Sequence, residues 1–143
     1  MAEALEKSCN PYFINLGMQV GGEALCDMAY RMGFGSSAKL GEGVTAAAGV
    51  LPKGRDLWGG DLANFSFGQG EFTATPVQIA QMISAIANGG RFVSPTVYRG
   101  TTLNGGDLEL REEPAPGAQI IKPSTAAALQ EMGAAAVGVN CSV

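Results

Sequence analysis

The sequence predicts an α+β chain, mainly helical with one small hairpin, and three observations carry that prediction. Thr75-Pro76-Val77-Gln78 spells a helix start, with threonine as cap, proline at the first helical position and glutamine completing a T-x-x-Q capping box. Val77, Ile79, Ala80, Ile83, Ile86 and Ala87 follow it as a wide apolar stripe. Asn104-Gly105-Gly106 is a polar turn leading into Leu108–Leu110, which reads as a hairpin.

The remaining elements follow in chain order. Residues 2–9 read as the end of a helix. Asn10-Pro11 restarts one, with Asn10 as the cap and Tyr12, Phe13 and Leu16 as its apolar face. Gly21-Gly22 breaks it. A helix over about Glu23–Met32 carries Leu25, Met28, Ala29 and Met32 at helical spacing, and Gly33 is its expected left-handed stop. Residues 33–72 are glycine-rich with little periodicity and read as one long irregular connection, of the kind that is functional or serves as packing for a larger structure. Past the capped helix, Asn88-Gly89-Gly90 is a stop, and Phe92-Val93 and Val97-Tyr98 read as strand fragments around Pro95. Residues 114–117 read as a loop. A last helix is expected from about Ser124 to Val137, with Thr125, Ala128, Leu129 and Met132 facing inward.

Composition narrows the chemistry. With 143 residues the chain holds one domain or part of one, and at 46% hydrophobic and 15% charged it is not disordered by composition. Net charge is −4 and no basic cluster occurs, so nucleic acid is not an expected partner. Histidine is absent, which excludes a histidine-based triad and a histidine-ligated metal; no cofactor or metal is expected. Cys9, Cys26 and Cys141 fit no zinc or C-x-x-C spacing and read as free thiols. No apolar run reaches the ~18–20 residues that span a bilayer, and Met1–Lys7 is not a signal peptide.

Two segments then carry a resemblance. Ser8-Cys9-Asn10, followed by Pro11-Tyr12-Phe13, is similar to the S-x-N motif of penicillin-binding proteins and the aromatic pair usual in class B members. Phe67-Gly68-Gln69-Gly70, Thr75-Pro76-Val77-Gln78-Ile79-Ala80 and Ala87-Asn88-Gly89-Gly90 resemble that family's G-Q-G, T-P-x-Q-x-A and A-N-G-G series, in order and at matching distances. Gly33-Phe34-Gly35 and Leu51-Pro52 fall between them in the family's order. S-x-N alone is weak; the ordered series is specific. The resemblance covers roughly residues 2–98, and more weakly 118–137.

The resemblance implies a partial penicillin-binding transpeptidase (serine β-lactamase-like) fold, in which residues 1–143 form a helical lobe without the main sheet. The implied parent cross-links peptidoglycan through D,D-transpeptidation and is acylated by penicillin. Its partners would be the peptidoglycan stem peptide and β-lactams, and it would work outside the cytoplasm, anchored to the bacterial plasma membrane. In the family, a serine activated by the lysine of S-x-x-K attacks the substrate, while a K-T-G strand binds the substrate carboxylate. Carried over residue by residue, only Ser8 and Asn10 are supplied here: the serine near the proton relay, the asparagine holding the substrate amide. S-x-x-K is expected before Met1 and K-T-G after Val143, so this chain alone is expected to be inactive.

Several residues imitate chemistry. Ser36-Ser37-Ala38-Lys39 spells S-x-x-K but sits in a loop with no helix start, and Lys39-Leu40-Gly41 has the outline of K-x-G with no strand pattern around it. Glu42, Asp56, Asp61 and Glu71 read as separate loop carboxylates. Gln69 is expected to fix its loop by hydrogen bonds. Trp58 packs either on the missing part of the domain or on this chain's own core. Faces meant for the absent sheet would be exposed, which predicts a homo-oligomer or marginal stability unless the rest of the domain is present. Two other readings remain: a stand-alone interaction module built from this lobe, and part of a serine β-lactamase or β-lactam sensor domain.

Overall fold

The computed structural model describes residues 1–110 and 117–132. Six helices and two hairpins follow one another along these residues: α1 (Ala2–Glu6), α2 (Asn10–Val20), α3 (Gly22–Arg31), β1 (Ala38–Gly41), β2 (Val44–Ala46), α4 (Gly59–Phe65), α5 (Pro76–Ala87), β3 (Gly100–Thr102), β4 (Leu108–Leu110) and α6 (Pro123–Glu131). A single 3-10 turn, Gly54–Asp56, precedes α4. Both sheets are antiparallel pairs, β1 with β2 and β3 with β4. The mainly helical reading with a small hairpin therefore holds, and the hairpin after Thr102 falls where the Asn104-Gly105-Gly106 turn placed it.

The helices form where their ends are marked. On α5, Thr75 accepts from the Gln78 backbone N–H and the Gln78 side chain accepts from the Thr75 N–H, so the capping box is complete. Gly33 sits at φ +97°, the left-handed stop expected after α3. Packing joins α2 to α3 and α4, and α5 to α6. The centre of the core is Ile86, Ile121 and Ala126, with Met28, Met32, Met82 and Leu129 packed around it. A second knot is aromatic: Phe72 meets Phe34 and Phe65 edge to face, with ring centroids 5.3 and 5.4 Å apart.

Five local expectations are corrected. Residues 33–72 are not one irregular connection, for they contain β1, β2, the 3-10 turn and α4. The four-residue strand Ala-Lys-Leu-Gly has too little alternation to show in the sequence. Asn10 does not cap α2: it is that helix's first residue, Cys9 is the cap, and no side chain bonds there. The buried stripe of α5 is Gln78, Gln81, Ala85 and Ile86, while Ala80 and Ala87 are exposed. Ile86 is buried as expected and Val77, Ile79 and Ile83 are half-buried, but two glutamines whose amides donate to backbone carbonyls share the buried face. Phe92-Val93 and Val97-Tyr98 form no strand; Arg91 makes an isolated bridge to Gln119, and Val97 donates to the Leu40 carbonyl. On α6, Ala126 is buried while Thr125 and Ala128 are exposed. The expected loop at 114–116 and helix end at 133–137 lie outside the described residues.

Candidate functional site

The S-x-N segment sits at the junction of two helices. Cys9 N–H closes α1 onto the Ala4 carbonyl at 2.9 Å, and the Cys9 carbonyl opens α2 by accepting from the Tyr12 N–H at 3.1 Å. Between these two anchors the chain must turn sharply, and Ser8 takes φ +47° to do so. A left-handed serine is uncommon, and strain of this kind is held in place only by surrounding contacts. Ser8 and Asn10 are both exposed, whereas Cys9 between them is half-buried. The turn therefore presents one hydroxyl and one carboxamide to solvent, each able to donate and accept. Tyr12 and Phe13 follow as an edge-to-face pair with centroids 5.3 Å apart.

What fixes this junction is the seat of α2. Gly17 is buried against α4, where a Cβ would lie 1.9 Å from Ser66 Oγ. Ser66 in turn donates from that hydroxyl to the Leu62 carbonyl at 2.6 Å. Only a glycine lets α2 and the end of α4 approach this closely.

Among the described residues no side chain is hydrogen-bonded to Ser8 as a base. Lys7 is adjacent in sequence, but its ammonium is tied to Glu3 at 2.6 Å. Serine is a weak nucleophile without a neighbouring base. The two imitation motifs are also placed. Ser36 lies in a turn and Lys39 on β1, so Ser36-x-x-Lys39 never forms the helical turn that would stack lysine on serine. Lys39-Leu40-Gly41 does lie on a strand, contrary to expectation, in a two-stranded hairpin with Thr45 opposite Lys39.

The remaining candidates separate. Trp58 is 76% exposed, so it does not pack on this chain's own core. Gln69 is exposed, and among the described residues its amide reaches the Gly68 carbonyl alone, at 3.3 Å. Cys26 is buried, and burial pushes its thiol above the ordinary value of 9.0. Among the described residues no group of three or more His, Cys, Asp or Glu converges to hold a metal ion. No described helix is long and apolar enough to cross a membrane.

Gln78 is the residue the sequence underrates. It is fully buried, and its amide nitrogen lies within hydrogen-bonding distance of three backbone carbonyls: Gly33 at 3.1 Å, Ser36 at 3.2 Å and Ala48 at 2.6 Å. The T-x-x-Q spacing shows its capping role; the carbonyls come from residues 30 to 45 positions away.

An S-x-N turn on a helical lobe, followed in order by the G-Q-G loop and the T-P-x-Q helix, defines a class: the penicillin-binding transpeptidases. The sequence matches the penicillin binding protein transpeptidase domain over residues 1–138, and the chain belongs to that family. Its relatives are of the class B kind. Penicillin-binding protein PbpB of Mycolicibacterium smegmatis is 32% identical over 127 residues, which is 88% of this chain and 19% of that protein. Peptidoglycan D,D-transpeptidase PbpA of the same organism is 30% identical over 142 residues, 98% of this chain and 28% of that protein. Among solved structures, penicillin binding protein 3 of Mycobacterium tuberculosis, complexed with aztreonam, superposes with a TM-score of 0.78 at 28% identity, covering 92% of this chain and 29% of that one. The chain thus spans less than a third of the length of these relatives.

Proposed function

We propose that this chain forms one wall of a D,D-transpeptidase cleft, in a parent that cross-links peptidoglycan and is acylated by penicillin. The observation that carries this reading is the S-x-N turn. A strained Ser8 and an unbonded helix-start Asn10 are held out to solvent by helices that pack through Gly17. Asn10 would hold the amide of the stem peptide or of the β-lactam. Ser8 would stand by the proton relay to the leaving amine. The attacking serine with its lysine, and the strand that binds the substrate carboxylate, come from the rest of the parent domain. The parent acts outside the cytoplasm and is anchored to the plasma membrane.

The names of the relatives support this reading, and so does the aztreonam complex of a similar structure. The test is intact mass after incubation with excess benzylpenicillin. The isolated chain is expected to gain no adduct. A domain completed with S-x-x-K and K-T-G segments is expected to gain one, more slowly when Asn10→Ala is introduced. A stoichiometric adduct on the isolated chain would overturn the assignment of Ser8 as a holding rather than attacking group.

A further inference from the structure

The G-Q-G loop, Gly68-Gln69-Gly70, has no task yet in the transpeptidase reading, but it is built into the end of α4. The Gln69 N–H reaches back to the Asn64 carbonyl at 2.9 Å, and the Gly68 N–H to the Phe65 carbonyl at 3.0 Å. This nested pair, with Gly68 at φ +78°, is the Schellman arrangement, which closes a helix through one left-handed residue. A Cβ on Gly68 would meet no heavy atom within 4 Å, so glycine stands there for its backbone conformation and not for space. The loop therefore fixes where the last turn of α4 stops.

The residue held in that turn is Ser66. Its hydroxyl donates to the Leu62 carbonyl at 2.6 Å, and α2 rests on it: a Cβ on Gly17 would lie 1.9 Å from Ser66 Oγ and 2.5 Å from Ser66 Cβ. Phe65, beside Ser66, is held from the far end of the loop, where Phe72 meets it edge to face with centroids 5.4 Å apart. Close contacts thus run from Gly68 through Ser66 to Gly17. From Gly17 the rigid helix carries them roughly two turns back to Asn10, its first residue.

We propose that the G-Q-G loop is a positioning element for the S-x-N turn: Gly68 stops α4 where Ser66 seats Gly17, and that seat sets Ser8 and Asn10. What Ser8 and Asn10 then do rests on the transpeptidase reading; the coupling itself does not.

The coupling is tested on the chain itself by backbone NMR. Its consequence is tested by acylation of the domain completed with S-x-x-K and K-T-G segments. Gly68→Ala introduces left-handed strain without a clash. Gly89→Ala is the matched control: Gly89 has φ +77°, a Cβ there would also meet nothing within 4 Å, and it follows α5, which packs on α6. Gly68→Ala is expected to shift the Ser8 and Asn10 signals, and Gly89→Ala to leave them in place. Gly68→Asn, which tolerates the left-handed region, should return most of the shift. With Ser66→Gly in the same chain the link is cut, so Gly68→Ala should no longer move Ser8 and Asn10. In the completed domain Gly68→Ala is expected to slow acylation by saturating benzylpenicillin on the order of tenfold, with Gly68→Asn and Gly89→Ala close to the parent. Equal effects of Gly68→Ala and Gly89→Ala, on the Ser8 and Asn10 signals or on acylation, would overturn the proposal. So would a Gly68→Ala shift undiminished by Ser66→Gly. If Gly68→Ala does not fold, Ser66→Gly alone decides: it should shift the Ser8 and Asn10 signals, and unmoved signals would sink the coupling. A completed domain that is not acylated, or is acylated equally fast with Asn10→Ala, would overturn the transpeptidase reading instead, and the NMR comparison would still decide the coupling.

Discussion

Gln78 shows how one side chain can hold a stretch that the sequence reads as loop. Its oxygen completes the cap of α5, and its nitrogen gathers carbonyls from Gly33, Ser36 and Ala48, so both ends of the β1–β2 hairpin are tied to one buried amide. Gln78→Leu leaves those carbonyls without a donor and breaks the capping box. The expected cost is about 2–4 kcal/mol, read as a fall in the urea midpoint at unchanged slope. Thr75→Val breaks only the cap and should cost about 1 kcal/mol. A loss no larger in Gln78→Leu than in Thr75→Val would mean that the three carbonyls find water instead. Cys26 gives a second residue-scale expectation. Its folded thiol is raised by burial, so the folded state keeps a proton that the unfolded chain releases near the ordinary value of 9.0. Stability is therefore unaffected at neutral pH and falls as pH rises through and above 9. Iodoacetamide at pH 8 should modify half-buried Cys9 well before buried Cys26, checked by peptide mass mapping. The cap was legible in the sequence because it is made within four residues. The carbonyl cluster was not, because tertiary contact alone brings it together.

Among the elements, the α2–α4 contact matters most to the candidate site, since α2 carries Asn10 at its start and Gly17 at its seat. Gly17→Ala places a methyl 1.9 Å from Ser66 Oγ and 2.5 Å from Ser66 Cβ, so the helices must separate. The expected penalty is about 1–3 kcal/mol, typical of overpacking, with signals of Ser8 and Asn10 shifting in a backbone NMR spectrum. Ser66→Gly in the same chain removes both clashing atoms and should restore the spectrum around Ser8. Ser66→Ala leaves the Cβ and should restore less. Failure of Ser66→Gly to restore it would show that α2 is not positioned through this contact. The helices themselves were legible from caps, prolines and glycine stops. Which face each one buries was less so. On α5 the apolar count pointed to Val77, Ile79, Ala80, Ile83, Ile86 and Ala87, of which Ile86 is buried, but the buried face also carries Gln78 and Gln81, and a hydropathy pattern ranks glutamine as solvent-facing. The β1–β2 hairpin escaped notice for a related reason: Gly41 and Gly43 at its turn look like loop, and β2 has only three residues to show alternation.

At the scale of the whole molecule the described core is small for the apolar content of the chain. Eight hydrophobic residues are buried, among them two alanines, while Leu103, Trp58, Val97, Leu110 and Tyr30 are each more than 60% exposed. An ordinary domain leaves single apolar side chains outside without consequence, but an exposed tryptophan, tyrosine and several branched residues together mark surfaces meant to be covered. The chain spans less than a third of its relatives' length, and on the proposed function the cover for these surfaces is the remainder of a transpeptidase domain. If that is what these surfaces await, the isolated chain should self-associate. Its light-scattering mass should rise with concentration, and an environment-sensitive apolar dye should bind it. Supplying the rest of the domain in the same polypeptide should abolish both signals and bury Trp58, seen as a blue shift of its emission; as the chain's single tryptophan it reports without ambiguity before the addition. A strictly monomeric chain with no dye binding would instead favour a lobe that closes on itself. In that case the S-x-N turn would stand on a self-sufficient scaffold rather than on one wall of a shared cleft.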